Sequence, residues 1–600
     1  MAILAVAPVV SLVVLRSPRW YPVFDLAMIE ANVRDVAGAH PPLLGLTGRL
    51  GTFAEPGHHP GPLGFYALWP VYALAGGSSW ALRLSSVVLT VTGVASAGWI
   101  AARRGGRRLV VGVGAAVAVL LAGYPATVPV EPWNPFQPVF WWPVVLLGVW
   151  SVLEDDLAVL PLTVFAASLC AQIHISYVGL VGGLGLLTVA VLAVRTFRRR
   201  ADRAARTRLA GWTLGSAALG LLLWLPPIGQ QLFGAEPNLS IIVRDFADPD
   251  LPPLGLRVGT EALLARMDPW KLAAGRTYDL FGGSWLPGAA LVIAWAASAV
   301  LARGLRDRRI VRLHTVLGVT LAAGVLSARS IHGMPYPYLF LWAWASAVLM
   351  ILASAWTLSS WWRSSGGDRG RAVLGRVGPA AAAALVLFAF TGVAVYRGAR
   401  IHPAASDSSR ALGRVASPAI ESLERSAVPG LGRDGRYLVT WRDPMSIEGQ
   451  GWGLANEMLR AGLDVGLPPV YARNLAGDRA RTPSEATAVV HLSVGPDIET
   501  WRRCPAAREL AHHDPRTRAE RAETRRLTAR AQARLREVGA GALAPGVESG
   551  IMKVGLDPRV PDDVRRDLVR IIGHGWPLAV FVAPPDVRCP PGPGPVASDR

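Results

Sequence analysis

The feature that most constrains this chain is a series of apolar blocks that carry almost no charge. Each block is close to the ~20 residues that an α-helix needs to cross a bilayer. With 52% hydrophobic residues over a length of 600, the composition is too apolar for a soluble multidomain protein. The pattern predicts a polytopic α-helical membrane protein of about eleven spans, at 2–15, 79–102, 109–124, 138–153, 157–173, 176–194, 209–226, 285–302, 311–328, 339–362 and 378–396.

Arginine clusters between these blocks set the predicted topology. Four connections are rich in arginine, and the positive-inside rule places them in the cytoplasm together with the N-terminus: 103–108, 195–208, 303–312 and 363–376. The net charge of +19 does not indicate nucleic acid, because only Lys271 and Lys553 of the 61 basic residues are lysine. That skew is typical of a high-GC bacterium such as an actinobacterium. We interpret the short first block as a first span, with a cleaved signal or a truncated start as the alternatives.

The segment EPGHHPGPLGFYALWPVYALAGG at 55–77 resembles a further span, but the parity of crossings argues against it. An odd number of crossings must separate the outer loop that follows the first block from the arginines at 103–108. Either 61–77 or 79–102 therefore crosses, and not both. Pro62 and Pro70 leave backbone groups unpaired that lipid cannot satisfy. We therefore predict that 61–77 is a partly re-entrant, juxtamembrane segment on the outer face.

Residues 397–600 contain no apolar span and alternate strand-like runs with helical ones. They predict a soluble α/β domain, which eleven crossings place outside the membrane. That location permits a disulfide between Cys504 and Cys589, and two free thiols are the alternative. The charged helix predicted at 515–539 indicates a solvated face, so no nucleic-acid partner is expected.

Candidate chemistry lies in the outer loops of the predicted membrane domain 1–396, which are 16–78, 125–137, 227–284 and 329–338. The sequence contains no Walker loop, dinucleotide fingerprint, nucleophile elbow or paired-cysteine metal box. Asp25 heads a predicted helix, where it is either an N-cap or a carboxylate that accepts a proton from a hydroxyl. Glu30 and Arg34 are spaced as a routine surface pair.

The order of motifs along the first 400 residues resembles the GT-C superfamily of integral membrane glycosyltransferases, especially protein mannosyltransferase, aminoarabinose transferase and rhizobial Rgt-type enzymes. An Asp follows the first span, and a His-Pro motif leads through an aromatic segment into a span that begins with WALRL. The resemblance rests on FDLAMIEANVRDV, HHPGPLGFYALWPVYALAGGSSWALRL, EPWNPFQP, QIHISY and WLPPIGQQLFGAEPNLS.

This resemblance implies transfer of a sugar from a polyprenyl phosphate to a lipid, glycan or protein of the cell envelope, at the outer face of the cytoplasmic membrane. It implies that Asp25 is the general base for the attacking hydroxyl. The departing phosphate then needs cations or strong donors. The candidates are Arg49, His58, His59, Arg244, Arg329 and His332.

Other candidates have two interpretations each. Many family members have Asp-Glu where this chain has Asp25-Leu26, so a carboxylate-bound divalent metal is less assured and no cofactor is certain. Glu131 either replaces the missing acid or is a solvated loop residue. Trp133 and Asn134 either bind sugar or lie at the membrane interface. His174 is either functional or a hydrogen-bonded buried histidine.

Two other function classes remain open from the residues alone. A lipid-linked glycan transporter would need a matched inner vestibule with ionisable residues inside the spans, and the spans are nearly free of them. A non-enzymatic membrane protein would bind envelope glycan through its C-terminal domain.

Overall fold

The computed structural model describes the chain except for residues 53–54, 200, 250, 280–282, 306, 366–377, 404, 427, 429, 444–448, 476, 478 and 588–600. It divides into two compact units. The first contains Met1–Ser17 and Pro42–His402, and the second contains Pro18–Pro41 and Pro403–Arg600. The predicted division at 396/397 differs in two respects: the segment 18–41, predicted in the membrane domain, lies in the second unit, and residues 397–402, predicted in the C-terminal domain, lie in the first.

The first unit is built from apolar helices, as the block pattern predicts. Seven helices among the described residues are long and apolar enough to cross a membrane: Ser79–Gly123, Ile175–Arg198, Arg203–Phe233, Leu286–Gly304, Arg308–Arg329, Pro337–Ser364 and Pro379–Ala399. Shorter apolar helices are Ala2–Val14, Leu63–Leu74, Trp142–Leu153 and Leu157–Ile173. The polytopic helical class is confirmed, and each of the eleven predicted blocks is helical. Three more helices are Asn238–Ala247, Gly255–Ala265 and Pro269–Ala274.

The longest helix contains two of the predicted blocks. Within Ser79–Gly123, Gly106 has φ 59° and ψ −154°, a backbone conformation that interrupts a helix. Gly98 and Gly114, on either side of this break, both lie against the side chain of Met1. The chain therefore turns back within RRGGRR, between the predicted blocks 79–102 and 109–124.

Three of the four arginine clusters lie at the same end of these helices, where they surround an acidic connection. Arg103 lies 2.8 Å from Asp156, and Arg312 lies 2.9 Å from Glu154. Arg195 lies 3.4 Å from Asp155. The acidic run 154–156, which is unusual among basic loops, is therefore neutralised by them. The fourth cluster, 363–376, lies almost entirely outside the described residues.

The segment 61–77 forms a helix of 12 residues, Leu63–Leu74, with Pro70 inside it. At 1.5 Å per residue this helix is about 18 Å long, which is short of the ~30 Å hydrocarbon thickness. It follows a two-stranded antiparallel hairpin of β1 (Thr47–Gly51) and β2 (Pro56–His58).

The second unit contains a five-stranded mixed sheet, which confirms the predicted α/β domain. Its order is β4-β3-β5-β7-β6, with β3 parallel to β4 and β5, and β7 antiparallel to β5 and β6. The strands are β3 (Arg436–Arg442), β4 (Asp464–Gly466), β5 (Ala488–Val494), β6 (Arg508–His513) and β7 (Leu578–Ala583). The helices are Asp25–Asp35, Ser406–Glu424, Gly449–Arg460, Pro469–Ala472, Asp497–Arg502, Arg518–Glu537, Gly546–Ser549, Ile551–Leu556 and Asp562–His574.

Two of the three cysteines lie in the part of the chain that the structure describes. Cys504 is disulfide-bonded, whereas Cys170 is free and buried within the first unit. Cys589, the predicted partner of Cys504, lies outside the described residues.

Candidate functional site

Tyr338 is the centre of a group of rings in the first unit that comes from distant parts of the sequence. Its ring meets Trp133 edge to face at a centroid distance of 5.4 Å and His174 at 6.1 Å. It also stacks on Tyr336 at 5.5 Å. The Arg49 guanidinium lies 4.8 Å from the Tyr336 centroid, and His59 lies 4.6 Å from His174. We call these six residues, Arg49, His59, Trp133, His174, Tyr336 and Tyr338, the Tyr338 cluster.

The two histidines of the cluster are buried and neutral. Nδ1 of His59 accepts a hydrogen bond from the backbone N–H of Ile175 at 3.2 Å. Nδ1 of His174 accepts from the N–H of Ser176 at 3.3 Å. A nitrogen that accepts from an N–H carries no proton, so the proton of each neutral ring is on Nε2.

Burial explains why these rings carry no charge. It lowers the pKa of His174 to about 3. Burial, followed by the electrostatic influence of His174 and then of His58, holds the pKa of His59 well below its usual range. The sequence predicts His59 as a cation or a strong donor for the phosphate. Because its ring is neutral, His59 can act as a hydrogen-bond donor through Nε2 but not as a cation.

Close backbone approach fixes the histidine motif against the QIHISY motif. The backbone N–H of Gly61 donates to the carbonyl of Gln172 at 3.1 Å, and a Cβ on Gly61 would lie 2.3 Å from Oε1 of Gln172. A Cβ on Gly64 would lie 2.9 Å from Oε1 of Gln137. The glycines of HHPGPLG therefore allow this segment to reach two other motifs that the sequence analysis singled out.

His58 has a structural role in the hairpin. Asn238 accepts from its backbone N–H at 2.8 Å and donates to its carbonyl at 3.1 Å. Nδ1 of His58 lies 3.0 Å from the carbonyl oxygen of Gly45 and donates to it. Burial lowers the pKa of His58, against the opposing effect of that carbonyl. Its imidazole thus secures the start of the segment.

Glu131 is a buried acid whose only ion-pair partner among the described residues is the equally buried Arg83, at 3.7 Å. This distance exceeds that of a hydrogen bond. Within the described part of the chain, Oε1 of Glu131 and Oδ1 of Asn134 are buried without a hydrogen-bond partner. Burial raises the pKa of Glu131 to about 7, against the opposing charge of Arg83. The alternative of a solvated loop residue is therefore wrong for Glu131.

The loop 329–338 and the hairpin bring the remaining predicted cations near the surface. Nη1 of Arg49 lies 3.4 Å from the carbonyl oxygen of Met334. His332 lies 3.9 Å from Asp245 and packs on Phe246. Arg244 pairs with Glu55 at 3.2 Å in an exposed position. Arg329 is exposed at the C-terminal end of Arg308–Arg329. Of these, Arg49 is the one that joins the Tyr338 cluster.

No metal site is evident in the part of the chain that the structure describes. It contains no group of three or more His, Cys, Asp or Glu side chains with the geometry to hold an ion. The donor set around Tyr338 consists of a guanidinium, neutral imidazoles and aromatic rings, which suits an anionic or sugar ligand better than a divalent cation.

Asp25 belongs to the second unit, as the first residue of Asp25–Asp35. The N-cap position is occupied by Phe24, so the N-cap interpretation of Asp25 is wrong. Asp25 is a half-buried acid in the first helical turn, where the helix dipole favours a negative charge.

Glu30 in the same helix is fully buried. It accepts from Asn456 at 2.9 Å and from Arg460 at 2.5 Å. Arg34 instead donates to Asn456 at 3.1 Å. The expected surface pair of Glu30 and Arg34 is therefore wrong.

Several residues of this region are not among the sequence-based candidates. Arg83 is an ionisable residue inside an apolar span, which by itself indicates a site. Tyr336 and Tyr338 lie in the predicted outer loop 329–338, whose sequence is RSIHGMPYPY. No sequence signal distinguishes Gln137 and Gln172 from other polar residues in apolar surroundings.

Comparisons with known proteins yield similar folds only. No family model matches the sequence, and no curated protein sequence matches it. One similar solved structure is ArnT from Cupriavidus metallidurans bound to undecaprenyl phosphate, with 13% identity, 85% of this chain and 95% of that chain covered, and a TM-score of 0.48. Another is the archaeal oligosaccharyltransferase AglB from Archaeoglobus fulgidus, with an inhibitory peptide and a dolichol-phosphate, with 12% identity, 83% and 69% covered, and a TM-score of 0.41.

Proposed function

We propose that this chain is a membrane glycosyltransferase of the GT-C type. It transfers a sugar from a polyprenyl-phosphate donor to a hydroxyl group of a lipid, glycan or protein of the cell envelope. The observation that carries the proposal is the Tyr338 cluster, in which five separate stretches of the first unit contribute a cation, neutral donors and aromatic faces to one place.

The cluster suits a lipid-linked sugar phosphate. The leaving phosphate gains negative charge as the glycosidic bond breaks, and Arg49 supplies a full positive charge near Tyr336. His59 and His174 supply N–H donors from Nε2, which keep their protons over the physiological pH range because both rings are neutral. Trp133 and Tyr338 supply the faces on which a sugar ring stacks.

The acceptor needs a carboxylate. Its hydroxyl loses a proton as it attacks the anomeric carbon, and we assign this proton to Asp25 as general base. Glu131, a buried acid beside Trp133 in the sequence, takes the place of the second family acid and helps to orient the sugar. One base suffices, because a phosphate leaves without a proton from a general acid.

The experiment compares Asp25→Asn with Asp407→Asn. Both residues are acids in the first turn of a helix of the second unit, so the control removes a helix-dipole interaction without removing the proposed base. Label transfer from a panel of radioactive polyprenyl-phosphate sugars into the envelope fraction is measured with membranes that contain each variant.

We expect Asp25→Asn to lower transfer by about 100-fold or more at unchanged expression and detergent stability. Asp407→Asn should transfer at the wild-type rate. Transfer by Asp25→Asn at more than about half the wild-type rate would remove Asp25 from the role of base. Absence of transfer by the wild type with every donor, in membranes that contain envelope acceptors, would argue against the glycosyltransferase itself.

A further inference from the structure

The residue before Asp25 has a strained backbone. Phe24 has φ 53° and ψ −143°, values that a bulky side chain rarely adopts. Its N–H donates to the carbonyl of Gly449 at 3.0 Å, and its carbonyl accepts the N–H of Ala27 at 3.0 Å, which begins the helix. Such a conformation persists only where the surroundings impose it, and it is common next to functional residues.

The surroundings that impose it are glycines of the second unit. Gly449–Arg460, which we call the GQGWG helix, begins with three glycines in alternate positions. A Cβ on Gly449 would lie 2.2 Å from the Phe24 ring, and one on Gly453 would lie 2.7 Å from the carbonyl oxygen of Pro22. Residues 449 and 453 are four apart and so share one face of the helix. That face fits the backbone of residues 22–24 and leaves no room for a side chain.

Hydrogen bonds and ion pairs hold the rest of Asp25–Asp35 and the residues ahead of it to the same unit. Glu30 accepts from Asn456 and Arg460 of the GQGWG helix. Asp35 pairs with Arg479 at 2.7 Å, and Arg19, ahead of the helix, pairs with Glu457 at 2.6 Å. The chain before and after residues 22–24 is therefore fixed. The contact of residues 22–24 with the glycine face then sets the direction in which the chain continues from Phe24 to Asp25.

We propose that Gly449 and Gly453 are positioning residues, which hold Phe24 in its strained conformation and so direct the carboxylate of Asp25 toward its substrate. The inference rests on the proposed function, in which Asp25 is the base. It gives the C-terminal part of the second unit a role in catalysis that none of the quoted motifs indicates. Gly449 acts through Phe24 and touches no reacting atom.

The test is a double-mutant cycle on the full-length protein. Gly449→Ala forces the Phe24 ring to move, whereas Phe24→Gly removes both the ring and the cost of the positive φ. Gly573→Ala is the matched control, because Gly573 is a helical glycine of the same unit with open space at its Cβ position. For each variant, kcat, the donor KM and thermal unfolding are measured with the most active donor.

We expect Gly449→Ala to lower kcat about tenfold or more with the donor KM within about twofold, because an ångström of misplacement costs up to 10²-fold. In the Phe24→Gly background, which itself lowers kcat, the same substitution should have little further effect. Gly573→Ala should have wild-type kcat. A folded Gly449→Ala with wild-type kcat, or an equal loss in both backgrounds, would overturn the proposal.

If Gly449→Ala does not fold, Phe24→Gly alone decides, and wild-type kcat in that variant overturns the positioning role. Asp25→Asn is assayed in parallel to separate the two proposals. Transfer retained by Asp25→Asn refutes the base, whereas an inactive Asp25→Asn with a fully active Gly449→Ala refutes only the positioning by glycine.

Discussion

Two buried glutamates, one in each unit, have opposite surroundings. Glu30 in the second unit accepts hydrogen bonds from Asn456 and Arg460. Glu131 in the first unit lies 3.7 Å from Arg83, and its Oε1 has no hydrogen-bond partner among the described residues. A buried charge costs several kcal/mol unless partners replace water. The first arrangement is therefore that of a structural anchor, and the second is that of a group whose environment leaves it reactive.

The largest expected difference concerns stability. Glu30→Gln leaves Arg460 without its closest counter-charge, so it should lower the free energy of unfolding by about 3 kcal/mol. Glu131→Gln should not lower it at pH 7, because the neutral amide resembles the protonated carboxyl that burial favours. The same Glu131→Gln should lower transfer about tenfold or more. Thermal unfolding followed by circular dichroism, with parallel assays, measures both. Equal loss of stability in Glu30→Gln and Glu131→Gln would contradict the distinction between a structural anchor and a reactive group.

The pH dependence of stability sharpens the comparison. The pKa of Glu131 is raised from 4.5 to about 7 in the folded state by burial. The folded state therefore binds this proton more tightly than the unfolded state. The resulting stabilisation is fully present below pH ~4.5 and is lost as the pH rises through about 7. It amounts to at most about 3 kcal/mol.

Unfolding of the wild type and Glu131→Gln between pH 5 and 8 tests this expectation. Relative to the variant, the wild type should lose stability as the pH rises. A difference that stays constant over this range would contradict the raised pKa and would place Glu131 with Glu30 as a fully compensated charge.

The smallest effects concern exposed charges. Arg244 and Glu55 are both solvent-exposed, at 66% and 50% of their side chains, so Arg244→Ala should change stability by less than about 1 kcal/mol and transfer by less than about twofold.

Arg49→Ala, by contrast, should raise the donor KM about tenfold, because the charge of Arg49 lies at the Tyr338 cluster. Donor titrations compare the two. Equal KM values would remove Arg49 from phosphate binding.

The candidate site was partly predictable from sequence. Arg49, as a cation of the first outer loop, and His59, Trp133 and His174, as members of the motifs, are sequence-based candidates, and the structure brings them together around Tyr338. The charge states of the histidines were not predictable, because they depend on burial and on which N–H groups face the rings. The alternative of a solvated Glu131 is wrong for the same reason.

Helix positions required only local information. The length and apolar character of a block decide whether it forms a long helix, and the eleven predicted blocks are helical. The interruption at Gly106 lies within the predicted arginine cluster. Proline positions likewise limited Leu63–Leu74 to a short helix.

The membrane class, the helical blocks and the α/β character of the C-terminal residues follow from local sequence, because each depends on composition and periodicity within short windows. The place of the segment 18–41 depends instead on long-range packing. Its partners lie more than 400 residues away, as in the pairs Arg19–Glu457 and Glu30–Arg460. A local pattern shows that Glu30 is charged and that Gly449 is small. It does not show that Glu30 is buried against Arg460 or that Gly449 leaves room for the ring of Phe24, because such contacts depend on packing between distant segments.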